Sequence, residues 1–134
     1  MFTRRIESNK GPGMSPLAEA VYDILRSRPG LADPRISYAE LAARVREARE
    51  DVEGAHHRDR RLYAALGEVH DECVRLGLPS LAALVVRADS RRPGEAYFQG
   101  MASPFRGERI EAWRRELEAV KRAAYPPRAG GAEG

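Results

Sequence analysis

The chain has 134 residues, 43% of them hydrophobic, and its 23 basic and 20 acidic side chains leave a formal charge of +3. That size suits one domain with one core, and the balance excludes both a chain disordered throughout and a histone-like basic surface. No apolar run approaches the roughly 20 residues a spanning helix needs, and no apolar stretch follows the basic N-terminus as in a secretory leader. The lone Cys73 excludes an internal disulfide framework, so a cytoplasmic protein without a membrane partner is expected.

Residues 1–14 lack hydrophobic periodicity and contain Gly11-Pro12-Gly13, which reads as a flexible N-terminal arm. A domain is expected over 15–125. Ser15-Pro16 supplies an N-cap and a proline at the first helical position, and Leu17, Val21, Ile24 and Leu25 share one face of the first helix. Pro29-Gly30 stops it. Ser37, followed by Glu40, has the spacing of a capping box, and Tyr38, Leu41, Ala42 and Val45 form the apolar face of a second helix. The polar stretch from Glu47 to Arg60 holds no apolar stripe and reads as the end of that helix plus a long loop.

Asp59 is placed to cap a third helix, whose Leu62, Leu66, Val69, Cys73 and Leu76 make the clearest helical stripe in the chain. Gly77 ends it. The run Leu81–Val86 is rich in strand formers, Asp89–Gly94 is turn chemistry, and Ala96-Tyr97-Phe98 is expected to return as a second strand. A β-hairpin with a basic tip follows from that reading. Ile110, Trp113, Leu117 and Val120 share one face of a C-terminal helix over 108–124, and Pro126-Pro127 opens a small, polar tail over 126–134 that is expected to be disordered. Three helices, a hairpin and a closing helix predict a mainly α (α+β) fold, a winged helix-turn-helix with a short β-hairpin wing.

Three segments resemble the C-terminal DNA-binding domain of methylguanine-DNA methyltransferases and their alkyltransferase-like relatives. Ile36-Ser37-Tyr38-Ala39-Glu40-Leu41-Ala42 is similar to the start of the family's first helix-turn-helix helix. Arg61-Leu62-Tyr63 falls where the family has Arg-Ala-Val in its recognition helix. Leu78-Pro79 with Leu84-Val85-Val86-Arg87-Ala88-Asp89 resembles the stretch around and after its Pro-Cys-His-Arg motif. The resemblance implies that Tyr38 contacts the phosphate of a rotated nucleotide and that Arg61 enters the base stack. It also puts Ala82 at the acceptor cysteine and Ala83 at the histidine, so alkyl transfer, which needs an activated thiolate, is not expected.

The expected function is therefore non-catalytic binding of duplex DNA, without cofactor or metal. Arg58, Arg60 and Arg61 stand at the start of the third helix, which a winged helix lays in the major groove; Arg87, Arg91 and Arg92 stand on the wing. Arg60 and Arg61 are expected at base edges or phosphates, Arg91 and Arg92 on the backbone, and Tyr38 on a phosphate. Glu68, Asp71 and Glu72 oppose this, because helical spacing puts them on the exposed side of the same helix. His70 and Cys73 are spaced i, i+3, but two ligands fall short of a zinc site, and Cys73 belongs to the core stripe. The alternative is a protein-docking module acting through the third helix, the hairpin or the C-terminal helix, with Trp113 or Tyr97 as interface anchor.

Overall fold

The structure, a computed structural model, describes residues 13–101 and 107–127. It is mainly helical. Helix α1 (Pro16–Arg26) starts as its sequence demands: the Ala18 N–H donates to Ser15 Oγ at 3.2 Å and Pro16 takes the first turn. A two-residue strand, β1 (Ile36–Ser37), runs straight into α2 (Tyr38–Ala48), with the Glu40 N–H donating to Ser37 Oγ at 3.1 Å. The reciprocal half of the capping box is not used. Glu40 turns outward and pairs with Arg44, four residues on, at 2.9 Å.

Helix α3 (Arg60–Leu76) is capped by Asp59, which accepts the Arg61 N–H at 2.8 Å, and ends where Gly77 turns left-handed at φ 73°. Leu62, Leu66, Val69 and Cys73 are buried as their spacing predicts, and Leu76 is half-buried. The helix packs across α1, and α1 in turn packs on α2. Apolar side chains on these three helices, with Ile36 and Leu81–Val86, make one core.

The expected hairpin does not form. Leu81–Leu84 is a 3-10 turn, opened by Ser80 Oγ accepting the Ala82 N–H, and only Val85–Val86 (β2) is extended. Strand β2 pairs in parallel with β1, Ile36 opposite Val85 and Ser37 opposite Val86. Ala96-Tyr97-Phe98, the expected returning strand, lies inside helix α4 (Glu95–Gly100). The reason is visible in what the segment buries: Tyr97 and Met101, four residues apart, both turn inward, a helical spacing. Val85 and Val86 are both buried, as on a parallel strand covered on its two faces. Between β2 and α4, residues 87–94 form a loop closed by backbone bonds from Arg87 N–H to Arg92 O and from Arg91 N–H to Arg87 O.

Helix α5 (Arg109–Arg122) lies on the 3-10 turn, burying Trp113, Leu117 and Val120, with Ile110 half-buried. Polar bonds join α5 and the chain after it to the rest. Trp113 Nε1–H donates to Ala83 O at 2.8 Å, and the Tyr125 hydroxyl to Pro79 O at 2.6 Å. Glu116, 2% exposed, accepts the Ser80 N–H at 2.9 Å and the Tyr97 hydroxyl at 2.8 Å. Of the segments assigned to the ends, Met14 is buried against the core, and Pro126 O accepts the Tyr22 hydroxyl at 2.6 Å. The rest of the arm and tail, 1–12 and 128–134, lie outside the described residues. No described helix is long and apolar enough to cross a membrane.

Replacing Glu116 by Ala leaves two buried donors without an acceptor, and each such orphan costs about 1–3 kcal/mol. Glu116→Ala is therefore expected to lower stability by about 2 kcal/mol or more, read from the urea midpoint. Val74→Ala, at a position 62% exposed, is expected to move it by no more than about 0.5 kcal/mol.

Candidate nucleic-acid interface

Because β1 ends at the residue that caps α2, Tyr38 becomes the first helical residue and stands at that helix's N-terminal end. Tyr63, one turn into α3, meets it, with ring centroids 5.5 Å apart and planes tilted by 55°. The Tyr63 hydroxyl donates to His57 O at 2.9 Å, which folds the 56–58 segment over the start of α3. On the other side the Gly94 N–H donates to Tyr38 Oη at 3.1 Å. A side chain at Gly94 would put its Cβ 3.1 Å from that oxygen, so Tyr38 would have to give way by a few tenths of an ångström. These contacts bound an open cleft of about 580 Å³, lined by Tyr38, Tyr63, His57, Arg58 and Arg87 together with Ser37, Ala39, residues 88–89 and 94–96.

Burial pushes the Tyr38 phenol above its ordinary value, so it stays protonated at neutral pH. Its oxygen accepts from Gly94, and no acceptor for its own proton lies within reach among the described residues. A donor is thus left over beside the cleft. Arg58 is exposed and has no ion pair among the described residues. Arg87 is held by Asp89, which accepts Nε–H at 3.1 Å and Nη2–H at 2.9 Å.

Of the seven residues the sequence nominates, Tyr38, Arg58 and Arg87 come together at this cleft. Arg60, Arg61, Arg91 and Arg92 do not line it. Arg61 is bound to Asp59 at 3.0 Å and to Glu53 at 3.1 Å, and Arg91 to Asp33 at 3.2 Å. Asp33 also takes Arg35, whose hydrogen bonds hold its carboxyl well below the usual range. Arg60 and Arg92 carry no ion pair among the described residues. Neutralisation by neighbours is a correction to the free basic clusters expected from sequence, and it has a local cause. Asp33 with Arg35, Arg49 with Asp51 and Arg87 with Asp89 are each two residues apart in turns and irregular backbone, and Asp59, the N-cap of α3, reaches Arg61 in its first turn.

A second correction works the other way. Glu68 and Glu72 do not form an exposed acidic face with Asp71. Glu68 accepts the Ser15 N–H at 2.7 Å and the Ser15 hydroxyl at 3.1 Å, and Glu72 is buried at 4% exposure with Arg75 as partner. Only Asp71 of the three is exposed. A third concerns the interface anchors: Trp113 and Tyr97 are both 3% exposed and committed to internal hydrogen bonds. Sequence reasoning missed Tyr63 as the partner of Tyr38 and His57 as the acceptor for Tyr63, because the loop that carries His57 has no periodic signal.

His70 Nδ1 lies 2.9 Å from Ser80 Oγ, and Cys73 is buried, which pushes its thiol up to about 11. Among the described residues no three His, Cys, Asp or Glu side chains are grouped to hold a metal ion. Ala82 and Ala83 are buried in the 3-10 turn, and neither lines the cleft. Comparison with models of protein families, with curated proteins and with solved structures finds no match to this chain.

The Cys73 shift sets an alkaline limit. The native thiol keeps its proton up to about 11, whereas in the unfolded chain it loses it near 9.0. The unfolded state therefore binds fewer protons between those values, and stability falls as pH rises through that window. Cys73→Ala is expected to flatten this fall in urea titrations at pH 8 to 11. In the native protein at pH 8 the thiol should resist a thiol-specific reagent that labels it readily in guanidinium.

Proposed function

We propose that this chain is a non-catalytic DNA-binding protein of winged-helix type, holding duplex DNA across the start of α3, the cleft beside it and the 87–94 loop, which takes the place of a wing. The observation that carries this reading is the convergence of a spare Tyr38 hydroxyl donor, an unpaired Arg58 and a second aromatic ring around one open cleft. A phosphate oxygen accepts from a hydroxyl and from guanidinium; a base can lie against a tyrosine ring. The size of the cleft is within the range of small-ligand sites. Arg60, at the start of α3, and Arg92, in the 87–94 loop, add unpaired positive charge on the elements that bound the cleft, and the pairing of the buried Glu72 with Arg75 lowers the repulsion their helix would offer a phosphate.

The resemblance to alkyltransferase-like proteins gives Tyr38 its phosphate contact, and the position of this side chain at the cleft agrees with that role. It gives Arg61 a place in the base stack. For this Arg61 would have to exchange Asp59 and Glu53 for the nucleic acid, and its exposed, screened pairs allow it. Ala82 at the acceptor position leaves recognition without transfer. The docking alternative has lost its two anchors to the core.

A titration of random duplex between about 50 and 200 mM salt tests the reading, since phosphate contacts make affinity fall steeply with salt. Arg58→Ala with Arg60→Ala is expected to reduce the slope of log K against log salt by about 1.8, roughly 0.9 for each lost contact, at unchanged melting temperature. Tyr38→Phe keeps the ring, removes the donor and also leaves the Gly94 N–H without its acceptor, and is expected to weaken binding at least about five-fold, one hydrogen bond's worth or more. Absence of any salt-dependent binding by the wild-type chain overturns the proposal.

A further inference from the structure

The arginines among the described residues are, with five exceptions, satisfied within the chain. Arg26, Arg35, Arg44 and Arg49 each pair with a carboxylate, and Arg28 and Arg46 donate to backbone carbonyls. Three of the exceptions, Arg58, Arg60 and Arg92, belong to the interface proposed above. The other two, Arg114 and Arg122, stand on α5. Both are exposed, and neither has an ion pair or hydrogen bond from its side chain among the described residues.

Their isolation is not for lack of an acid. Glu118 lies four residues from each, the spacing at which a helix brings opposite charges together. Its carboxylate is instead taken by Lys121, at 3.0 Å. Arg114, Glu118 and Arg122 fall on one side of the helix, away from the buried Trp113, Leu117 and Val120. A shallow groove of about 350 Å³ runs between them, with Ala119 offering no bulk. Eight residues of helix place the Cα atoms of the two arginines about 12 Å apart along the axis. A nucleic-acid strand presents a phosphate about every 3.4 Å of its own axis, so several fall within that span.

We infer that the outer face of α5 is a second phosphate-contacting surface, whose occupant is the nucleic-acid backbone and whose principal contacts are Arg114 and Arg122. The inference rests on the DNA-binding reading and adds to it a surface that the cleft does not share. Guanidiniums free of internal partners need give up no pairing to meet a phosphate, unlike Arg61 or Arg87. Glu118, already engaged by Lys121, offers the incoming phosphate less repulsion than a bare carboxylate.

The test is a salt titration of a fluorescent random duplex with the full chain, with Arg114→Ala plus Arg122→Ala, and with Arg58→Ala plus Arg60→Ala. Alanine on an exposed helix face preserves folding, which the melting temperature checks. The α5 pair of substitutions is expected to lower the salt slope by about 1.8, so that between about 50 and 200 mM salt the variant loses about ten-fold less affinity than the wild type. A wild-type slope in the α5 variant, alongside a reduced slope in the α3 variant, overturns this inference and leaves the DNA-binding reading standing. If the wild-type chain does not bind duplex at all, both fall together. A reduced slope in the α5 variant alone supports the second surface and moves the main contact away from the cleft.

Discussion

The buried carboxylate of Glu116 is the interaction on which the cleft's geometry depends. One oxygen accepts the backbone N–H of Ser80, at the entry to the 3-10 turn; the other accepts the hydroxyl of Tyr97, on α4. The first bond fixes the entry to the turn that leads into β2, five residues further on, where β2 pairs with β1. The second holds α4, whose start lines the cleft. A charged group withdrawn from water is costly unless its lone pairs are filled, and here the two donors come from segments 17 residues apart that are otherwise joined by a loop. Burial of Glu116 thus ties α5 to both edges of the 87–94 loop.

The same economy of polar groups runs through the turn that α5 covers. The carbonyls of Pro79 and Ala83 would be stranded beneath a helix, and Tyr125 and Trp113 reach in to satisfy them. Aromatic residues with a polar tip suit this work, since the ring fills space while the N–H or O–H finds its acceptor. Trp113 and Tyr97 are therefore structural in this chain, and an interface has to be sought among the charged side chains.

Those charged side chains divide into two populations. Most described arginines are satisfied, by an acid two to four residues away, by a distant one as in Arg91 with Asp33 and Arg109 with Glu95, or by backbone carbonyls as in Arg28 and Arg46. The remainder collect at the start of α3, at Arg92 and on α5, where local carboxylates are absent or already engaged. A net charge of +3 says little about a polyanion partner when most of the charge is internally compensated. Where the uncompensated fraction sits is the more informative quantity, and one member of it, Arg58, lines the cleft with two tyrosines.

Local chemistry was legible from the residues alone. Ser15, Ser37 and Asp59 cap the helices their positions predict, Gly77 closes α3, and the apolar stripes of α1, α2, α3 and α5 face the core. These features depend on neighbours within a turn or two, which the sequence displays. Arg58 was nominated by its place at the start of the third helix, and Tyr38 by the resemblance carried by its segment. What the tertiary structure decided was partnership at a distance. Strand β2 chose β1 over the segment after the turn, because a two-residue strand is defined by the edge it meets and Tyr97 was drawn to Glu116. Glu68 turned to the cap of α1, and Tyr63 to Tyr38, across gaps that no periodicity spans. Capping and amphipathicity are short-ranged and recorded in order along the chain, whereas hydrogen-bond and charge partners are set by which surfaces the packed core brings into contact.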